Sequence, residues 1–381
     1  MFMKRLLIAP DSFKESMTAL EAAYAIESGF HQVFGNEIEC IKIPMADDGE
    51  GTTQSLHDAL QGRWRMVIVT DPLGRPIQAA YSIANKGKTA VIEMASASGL
   101  GLIARDERNP LKTTTFGTGE LVIDALNQGV SHIILGIGGS ATNDGGAGFI
   151  QALGGRLLDK HGQDLPFGGA ALAQLATIDL THFDPRLKEI TFEVACDVDN
   201  PLLGESGATM IYGPQKGALA EEIQSLESAL VHYNEVIQRD LHQYIAHEPG
   251  AGAAGGLGAA LLATINVQLR PGIDIVLEMT RFKHHVLNCD LVITGEGKID
   301  AQTIYGKTPI GIAKVAQSYH KPVIAVAGML GEGYEAVYDY GIEAVFSLVP
   351  GPISLETALN EGPQHLERLA YNIAKVYKMQ F

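Results

Sequence analysis

Few of the residues that mark specialised protein classes are present. Cys40, Cys196 and Cys289 are the only cysteines in 381 residues. They stand far apart with no CxxC pair, which speaks against a disulfide framework or a zinc site and for a reducing compartment. Charge is sparse at 19%, and cations are scarcer than acids: 28 Lys and Arg against 44 Asp and Glu leave a net charge of −16. Non-specific nucleic-acid binding needs a basic face, so it is not expected. An anionic ligand would have to be met by local cations or backbone amides, because the overall field repels it. No apolar run approaches the roughly 18 residues of a membrane span, and the run before Asp11 is too short for a secretory leader. The expectation is a cytoplasmic protein without membrane contact. HExxH and G-x-S-x-G are also missing, which disfavours zinc proteases and α/β-hydrolases.

What the chain has in quantity is glycine, 43 residues. The densest cluster is GIGGSATNDGGAG, 136–148, directly after the apolar run Ile133-Ile134-Leu135. Glycine lets backbone N–H groups approach a ligand closely, and a row of amides with interleaved hydroxyls makes an anion-binding concavity. Gly138, Gly139, Ser140, Thr142 and Asn143 are the candidate phosphate contacts, and Asp144 is a candidate magnesium ligand or base.

Strand and helix alternate at both ends. Arg5 to Pro10, Ile38 to Pro44, Leu291 to Thr294, Val323 to Ala327 and Ala344 to Val349 read as buried strands. Ala19 to Phe34 and Gly51 to Leu60 read as helices, with further helical patterns from Pro309 and Tyr334, and Ser16 as a candidate first cap. The pattern predicts a flavodoxin- or Rossmann-like doubly wound parallel sheet built from both chain ends, residues 1–63 and 286–381. Residues 64–285 read as an inserted mixed α/β domain. Its short strands Trp64 to Thr70, Gln78 to Ile83 and Thr89 to Glu93 form a meander, and a long helix follows with Ile223, Leu226, Leu230, Tyr233 and Ile237 on one stripe. An interdomain cleft is the expected ligand site.

Five further loops rich in acids or hydroxyls fall where strands should end: Asp11-Ser12-Phe13-Lys14, Asp47 to Thr52, Glu93 to Gly99, Asp197-Val198-Asp199-Asn200, and Thr294 to Asp300. In open α/β sheets the carboxyl ends of strands carry the ligand. Gly136-x-Gly138-x-x-Ala141 fits a dinucleotide fingerprint with Asp159 beyond it, but Asn143-Asp144-Gly145-Gly146 would interrupt the helix that such a site needs. A rival hit, Gly250-x-Gly252-x-x-Gly255, lies in a small-residue tract that fits either a mobile loop or close packing. Ala301 to Thr308 is a relaxed P-loop lacking its first glycine, with Lys307 a candidate anion contact. Amides, cations and carboxylates together are the parts that phosphoryl transfer requires.

The segments IAPDSFKES (8–16), PMADDGEGT (44–52), TDPLGRP (70–76), IEMASASGL (92–100), TTTFGTGEL (113–121), GIGGSATNDGGAG (136–148), CDVDNPLLG (196–204), GAGAAGGLGAAL (250–261) and TGEGKIDAQTIYGKTPIG (294–311) resemble bacterial glycerate kinases of the class I type. They do so in order over nearly the whole chain. One departure is Asp48, where that family's Ala-Asp-Gly-Gly-Glu-Gly would have glycine. The resemblance implies a two-domain α/β kinase using ATP and Mg²⁺ on glycerate, at the 2-hydroxyl to give 2-phosphoglycerate. A 3-kinase and a nicotinamide-dependent hydroxyacid oxidoreductase are the alternatives, and a ligand-binding sensor is a third reading.

Individual roles are assigned here on physical grounds. Asp197, Asp300 and Lys14 are the catalytic candidates. Thr294, Glu296 and Lys307 join the glycine loop as nucleotide contacts, and Asp11, Ser12, Asp47, Glu50, Arg75, Ser96 and Ser98 are substrate contacts. Lys14 and Arg75 are the candidates for the substrate carboxylate, Arg75 because a planar guanidinium matches it bidentately. Asp144 and Asp197 are the metal ligands. The partners expected are small molecules, and a homo-oligomer is compatible with the sequence.

Overall fold

The computed structural model describes residues 3–46 and 52–379. In chain order the strands are β1 (Lys4–Pro10), β2 (Ile38–Lys42), β3 (Arg63–Thr70), β4 (Pro76–Ala84), β5 (Thr89–Glu93), β6 (His132–Gly136), β7 (Arg156–Leu158), β8 (Thr177–Asp179), β9 (Thr191–Ala195), β10 (Gln268–Arg270), β11 (Leu291–Ile299), β12 (Val323–Leu330) and β13 (Ala344–Ser347). The chain divides into two compact units. One is assembled from both chain ends and includes Gln54–Leu60 and Ile273–Phe381; the other contains Gln61–Gly272.

The two-ended unit carries a sheet of order β13-β12-β11-β1-β2 with every pairing parallel. Parallel strands covered on both faces read as unbroken apolar runs, and Leu6, Leu7, Ile8 and Ala9 of β1 are all buried. The chain leaves β1 toward β2 on one side and β11 toward β12 and β13 on the other, so the strand order reverses between β1 and β11. That crevice is where open α/β sheets bind ligands. The helix Ala19–Phe34 crosses from β1 to β2 and begins on a capping box: Glu21 N–H donates to Thr18 Oγ1 at 3.2 Å, and Thr18 N–H to Glu21 Oε2 at 2.8 Å. The cap is therefore Thr18 and not Ser16, whose hydroxyl donates instead to the Leu359 carbonyl at 2.7 Å. This unit resumes at Ile273, so the helix Gly272–Met279, apart from its first residue, and the helix Phe282–Asn288 fall in it, where the sequence suggested that it resumes at 286. Buried Ile273, Phe282 and Val286 anchor them.

The Gln61–Gly272 unit has a mixed sheet of order β10-β9-β6-β5-β4-β3. β3, β4 and β5 pair antiparallel, then β5, β6, β9 and β10 run parallel. The helix Phe116–Asn127 is fastened to the antiparallel edge through Asp124, which accepts from Arg65 Nη2 at 2.8 Å and from Tyr81 Oη at 2.7 Å. The pairing with Arg65 holds the Asp124 carboxyl below the usual range. The long helix Ala220–Leu241 buries Leu226, Leu230, Tyr233 and Ile237, with Ile223 half-buried.

The small-residue tract proves to be close packing. Ala254, Gly255 and Gly256 take left-handed backbone at the start of Ala253–Thr264, and the Gly255 carbonyl accepts from Gly145 N–H at 3.0 Å. A Cβ on Gly255 would lie 1.9 Å from the Thr142 carbonyl oxygen, at φ +66°. The tract is the wall against which the 136–148 loop is pressed.

Gly255→Ala is thus expected to cost about 3 kcal/mol or more, combining backbone strain with overlap on a neighbouring chain; denaturant unfolding will measure it. Asp124→Asn should lower the melting temperature at neutral pH. Because the folded carboxyl titrates below the unfolded one, its contribution is present above the unfolded value and lost as pH falls through the folded one. Melting temperature measured against pH should therefore fall less steeply through the acid range in the variant, and identical slopes would contradict this role.

Candidate active site

At the carboxyl ends of β5, β6 and β9 a cavity of about 420 Å³ opens in the Gln61–Gly272 unit. Ala95 reaches it from the turn after β5, Gly138, Gly139 and Ser140 from the loop after β6, and Asp197 from the loop after β9. These are three of the loops singled out from sequence, brought together by parallel pairing of their strands. Asp197 is exposed, and its Oδ1 accepts from Gly272 N–H at 3.0 Å. Cys196 lines the same cavity, but burial raises its thiol to about 11 and removes it as a nucleophile.

The rest of the glycine loop turns away from the cavity. Thr142, Asn143 and Asp144 are fully buried. Asn143 donates to Thr209 Oγ1 at 3.0 Å. Asp144 accepts from Thr115 N–H and Oγ1, both at 2.8 Å, from Gly146 N–H at 3.1 Å and from Gly148 N–H at 3.2 Å. Burial nonetheless raises this carboxyl above its ordinary value. With both oxygens engaged inside the protein, Asp144 is a structural acceptor and does not suit a metal. Gly145 and Gly146 are left-handed, and the next helix starts only at Ala147. The continuous glycine-to-helix turn of a dinucleotide site is missing here.

Sequence reasoning missed Lys216. It is 2% exposed and lines the cavity, and its Nζ donates to Ser140 Oγ at 2.8 Å and to the Thr142 carbonyl at 2.7 Å. Burial pushes the ammonium down to about 7, against the opposing influence of Asp144. The available signal was its isolation, since no other lysine or arginine occurs between Lys188 and Arg239.

The remaining candidates near the cavity divide. Ser98 is buried, accepts from Thr118 Oγ1 at 2.8 Å and offers its carbonyl to Ala141 N–H; Ser96 donates to the Glu93 carbonyl at 2.6 Å. Both brace the turn beside the glycine loop. Arg75 is engaged elsewhere: its Nε donates to Asp71 Oδ2 at 2.7 Å and its Nη1 to Glu107 Oε1 at 2.9 Å. Asp71 also accepts from Leu73 N–H and Arg75 N–H, so TDPLGRP closes the β3–β4 hairpin. A guanidinium already matched to two carboxylates is a poor receptor for a third.

The two-ended unit gathers its own polar cluster at the strand-order reversal, where Pro10 of β1 registers with Gly295 of β11. Asp11 is buried and accepts from Ser12 N–H at 2.6 Å and Thr308 Oγ1 at 3.0 Å. Glu296, also buried, accepts from Thr303 Oγ1 at 2.8 Å, and Lys307 Nζ stands 3.7 Å from its other oxygen. Thr294 donates to the Ala9 carbonyl at 2.9 Å, which ties β11 to β1. Asp300 pairs with Lys298 at 2.7 Å, which together with Gln302 N–H keeps its carboxyl below the usual range. Lys14 is exposed. Asp47, Asp48 and Glu50 lie outside the described residues.

The sequence profile described as "Glycerate kinase family" matches residues 6–378. A glycerate kinase of Halalkalibacterium halodurans is 56% identical over 374 residues, covering 98% of each chain. The glycerate 2-kinase of Escherichia coli K12 is 50% identical over 370 residues and 97% of each chain. A crystal structure of a proposed glycerate kinase 2 from Salmonella typhimurium LT2 superposes with a TM-score of 0.92 at 48% identity, covering 99% of both chains. Among the described residues no helix is long and apolar enough to cross a membrane. With the family's profile spanning both units and whole-length relatives at half identity or more, the chain belongs to the glycerate kinase family.

Proposed function

We propose that this enzyme transfers the γ-phosphoryl group of ATP to the 2-hydroxyl of glycerate, giving 2-phosphoglycerate and ADP. The observation that carries the reading is the cavity at the ends of β5, β6 and β9, walled by Gly138, Gly139 and Ser140 and flanked by Asp197. Glycine-loop backbone and a carboxylate lining one cavity are the kinds of group that phosphates and their counter-ion require. The 2-position is favoured by the 50% identical relative named glycerate 2-kinase.

Of the two metal candidates, Asp197 suits Mg²⁺ better, being an exposed carboxylate on the cavity that also accepts from Gly272 N–H, whereas Asp144 is fully buried with its oxygens engaged by four donors. When bound, Mg²⁺ neutralises phosphate charge and usually takes one or two carboxylates with the rest of its shell from phosphate and water. In the transfer, the glycerate hydroxyl oxygen forms a bond to the γ-phosphorus as the bond to the ADP oxygen breaks, and the hydroxyl proton passes to a carboxylate. Asp197 and Asp300 are the candidates for that acceptor. Asp300, kept ionised by Lys298, is a weak base but a good hydrogen-bond acceptor. A loose phosphoryl transition state asks mainly for such orientation. Asp11, Ser12, Thr294, Glu296, Lys307 and Lys14 stay as candidates for ligand contact, on the strength of their place where strand order reverses in an α/β sheet.

The test is an ADP-release assay with ATP, Mg²⁺ and D-glycerate, followed by phosphorus NMR of the product. Coupling of phosphorus to the single methine proton supports the 2-phosphate, and coupling to a methylene pair would assign the 3-phosphate. Reduction of NAD by glycerate without ADP release would overturn the kinase reading. Asp197→Asn and Asp300→Asn should each lower kcat by about 10²–10⁴ if their carboxylates orient the hydroxyl, with a cooperative unfolding transition retained in both. Near-normal turnover in both variants removes them from that role.

A further inference from the structure

We propose that Lys216 and Ser140 form an anion subsite that receives a phosphoryl group inside the cavity, with the lysine providing the positive charge that meets it. That the anion belongs to a nucleotide rests on the kinase reading; the subsite itself rests on geometry. Lys216 comes from the short turn Pro214–Lys216, far from the glycine loop in sequence, yet its Nζ is bound to two oxygens of that loop, Ser140 Oγ and the Thr142 carbonyl. An ammonium has three N–H donors, and these two acceptors leave one for a ligand in the cavity that Lys216 and Ser140 both line. Among the described residues no carboxylate stands within ion-pair distance of it. Lysine is almost never fully buried unless paired, and the two oxygens bound here, Ser140 Oγ and the Thr142 carbonyl, are neutral, so a phosphoryl group brought by the proposed chemistry would supply the opposite charge.

The groups around Lys216 do not substitute for that anion. Asp144 acts on it through space, but its oxygens are engaged by Thr115, Gly146 and Gly148. Arg108, on the neighbouring segment, donates to the Gln215 carbonyl at 3.5 Å and carries the same sign. Asp197, Cys196 and Tyr212 share the cavity lining, and the Tyr233 ring packs behind the loop at Gly145. Burial lowers the lysine to about 7 in this structure. An arriving anion would raise it again, so binding should draw a proton from solution at pH values above that. A lysine that merely tethered the loop would show no such uptake.

Calorimetric titration with ADP, and separately with sulfate, in two buffers of different ionisation heat reads affinity and protons together. At about pH 8 the native protein should take up a substantial fraction of a proton per anion bound, and much less at about pH 6. Lys216→Met should abolish the uptake and weaken binding roughly ten- to a hundredfold, the equivalent of one charge-assisted hydrogen bond. Ser140→Ala should weaken binding while keeping the uptake. Folding of Lys216→Met is checked by its pH profile of stability. The folded native protein holds fewer protons than the unfolded chain between about pH 7 and the ordinary lysine range, so its stability rises across that window, and the variant should lack that rise. Unchanged anion affinity in a folded Lys216→Met, proton uptake that survives there, or failure of the native protein to bind either anion would overturn the subsite. Loss of the kinase reading would appear separately, as absent ADP release with sulfate binding intact.

Discussion

The Asp144 carboxylate is the constraint around which the cavity is built. It is fully buried and accepts four hydrogen bonds, from Thr115 at the head of the helix Phe116–Asn127 and from Gly146 and Gly148 at the head of Ala147–Ala152. Two helix N-termini present partial positive charge to it, which favours the anion, while burial works against it and prevails. Removing the carboxylate would leave several buried donors without an acceptor, each a cost in itself. By fastening the far end of the glycine loop, Asp144 leaves Gly138 to Ser140 as the part that meets the cavity.

The same logic of strand ends appears in both units. Parallel strands deliver their following loops to one edge, so residues distant in sequence converge without any local motif joining them. In one unit β5, β6 and β9 bring Ala95, Gly139 and Asp197 together. In the other, the reversal between β1 and β11 sets Asp11 beside the Thr294 to Glu296 segment. Five largely apolar runs at the chain ends were enough to foresee the parallel sheet of the two-ended unit, most clearly at β1, where Leu6 to Ala9 are buried without polar alternation.

Side-chain roles were harder to read, for physical reasons. Asp144 among glycines looks like a metal ligand, and only burial and the donors from Thr115 show it to be structural. Arg75 looks like a carboxylate receptor, but the turn that carries it also supplies Asp71, and Glu107 arrives from elsewhere in the chain. Thr18 and Ser16 are both plausible caps, and the Glu21 carboxylate three residues on decides for Thr18. Lys216 has no neighbouring pattern to announce it. Its significance is set by a loop 76 residues away in the chain.

The place of β1 between β2 and β11 also bears on how the protein is made. Arg5 N–H bonds to Asp290 across a separation of 285 residues, so β1, flanked by β2 and β11, leaves the ribosome long before its second neighbour exists. At roughly 5–20 residues per second that interval is on the order of 15–60 s. The Gln61–Gly272 unit is complete by then and can fold while the apolar strand Leu6 to Ala9 still waits for half of its cover. The nascent chain therefore passes through a stage at which one side of β1 lacks the β11 partner that completes its pairing, and an unpaired apolar strand edge is in general a template for association with other chains.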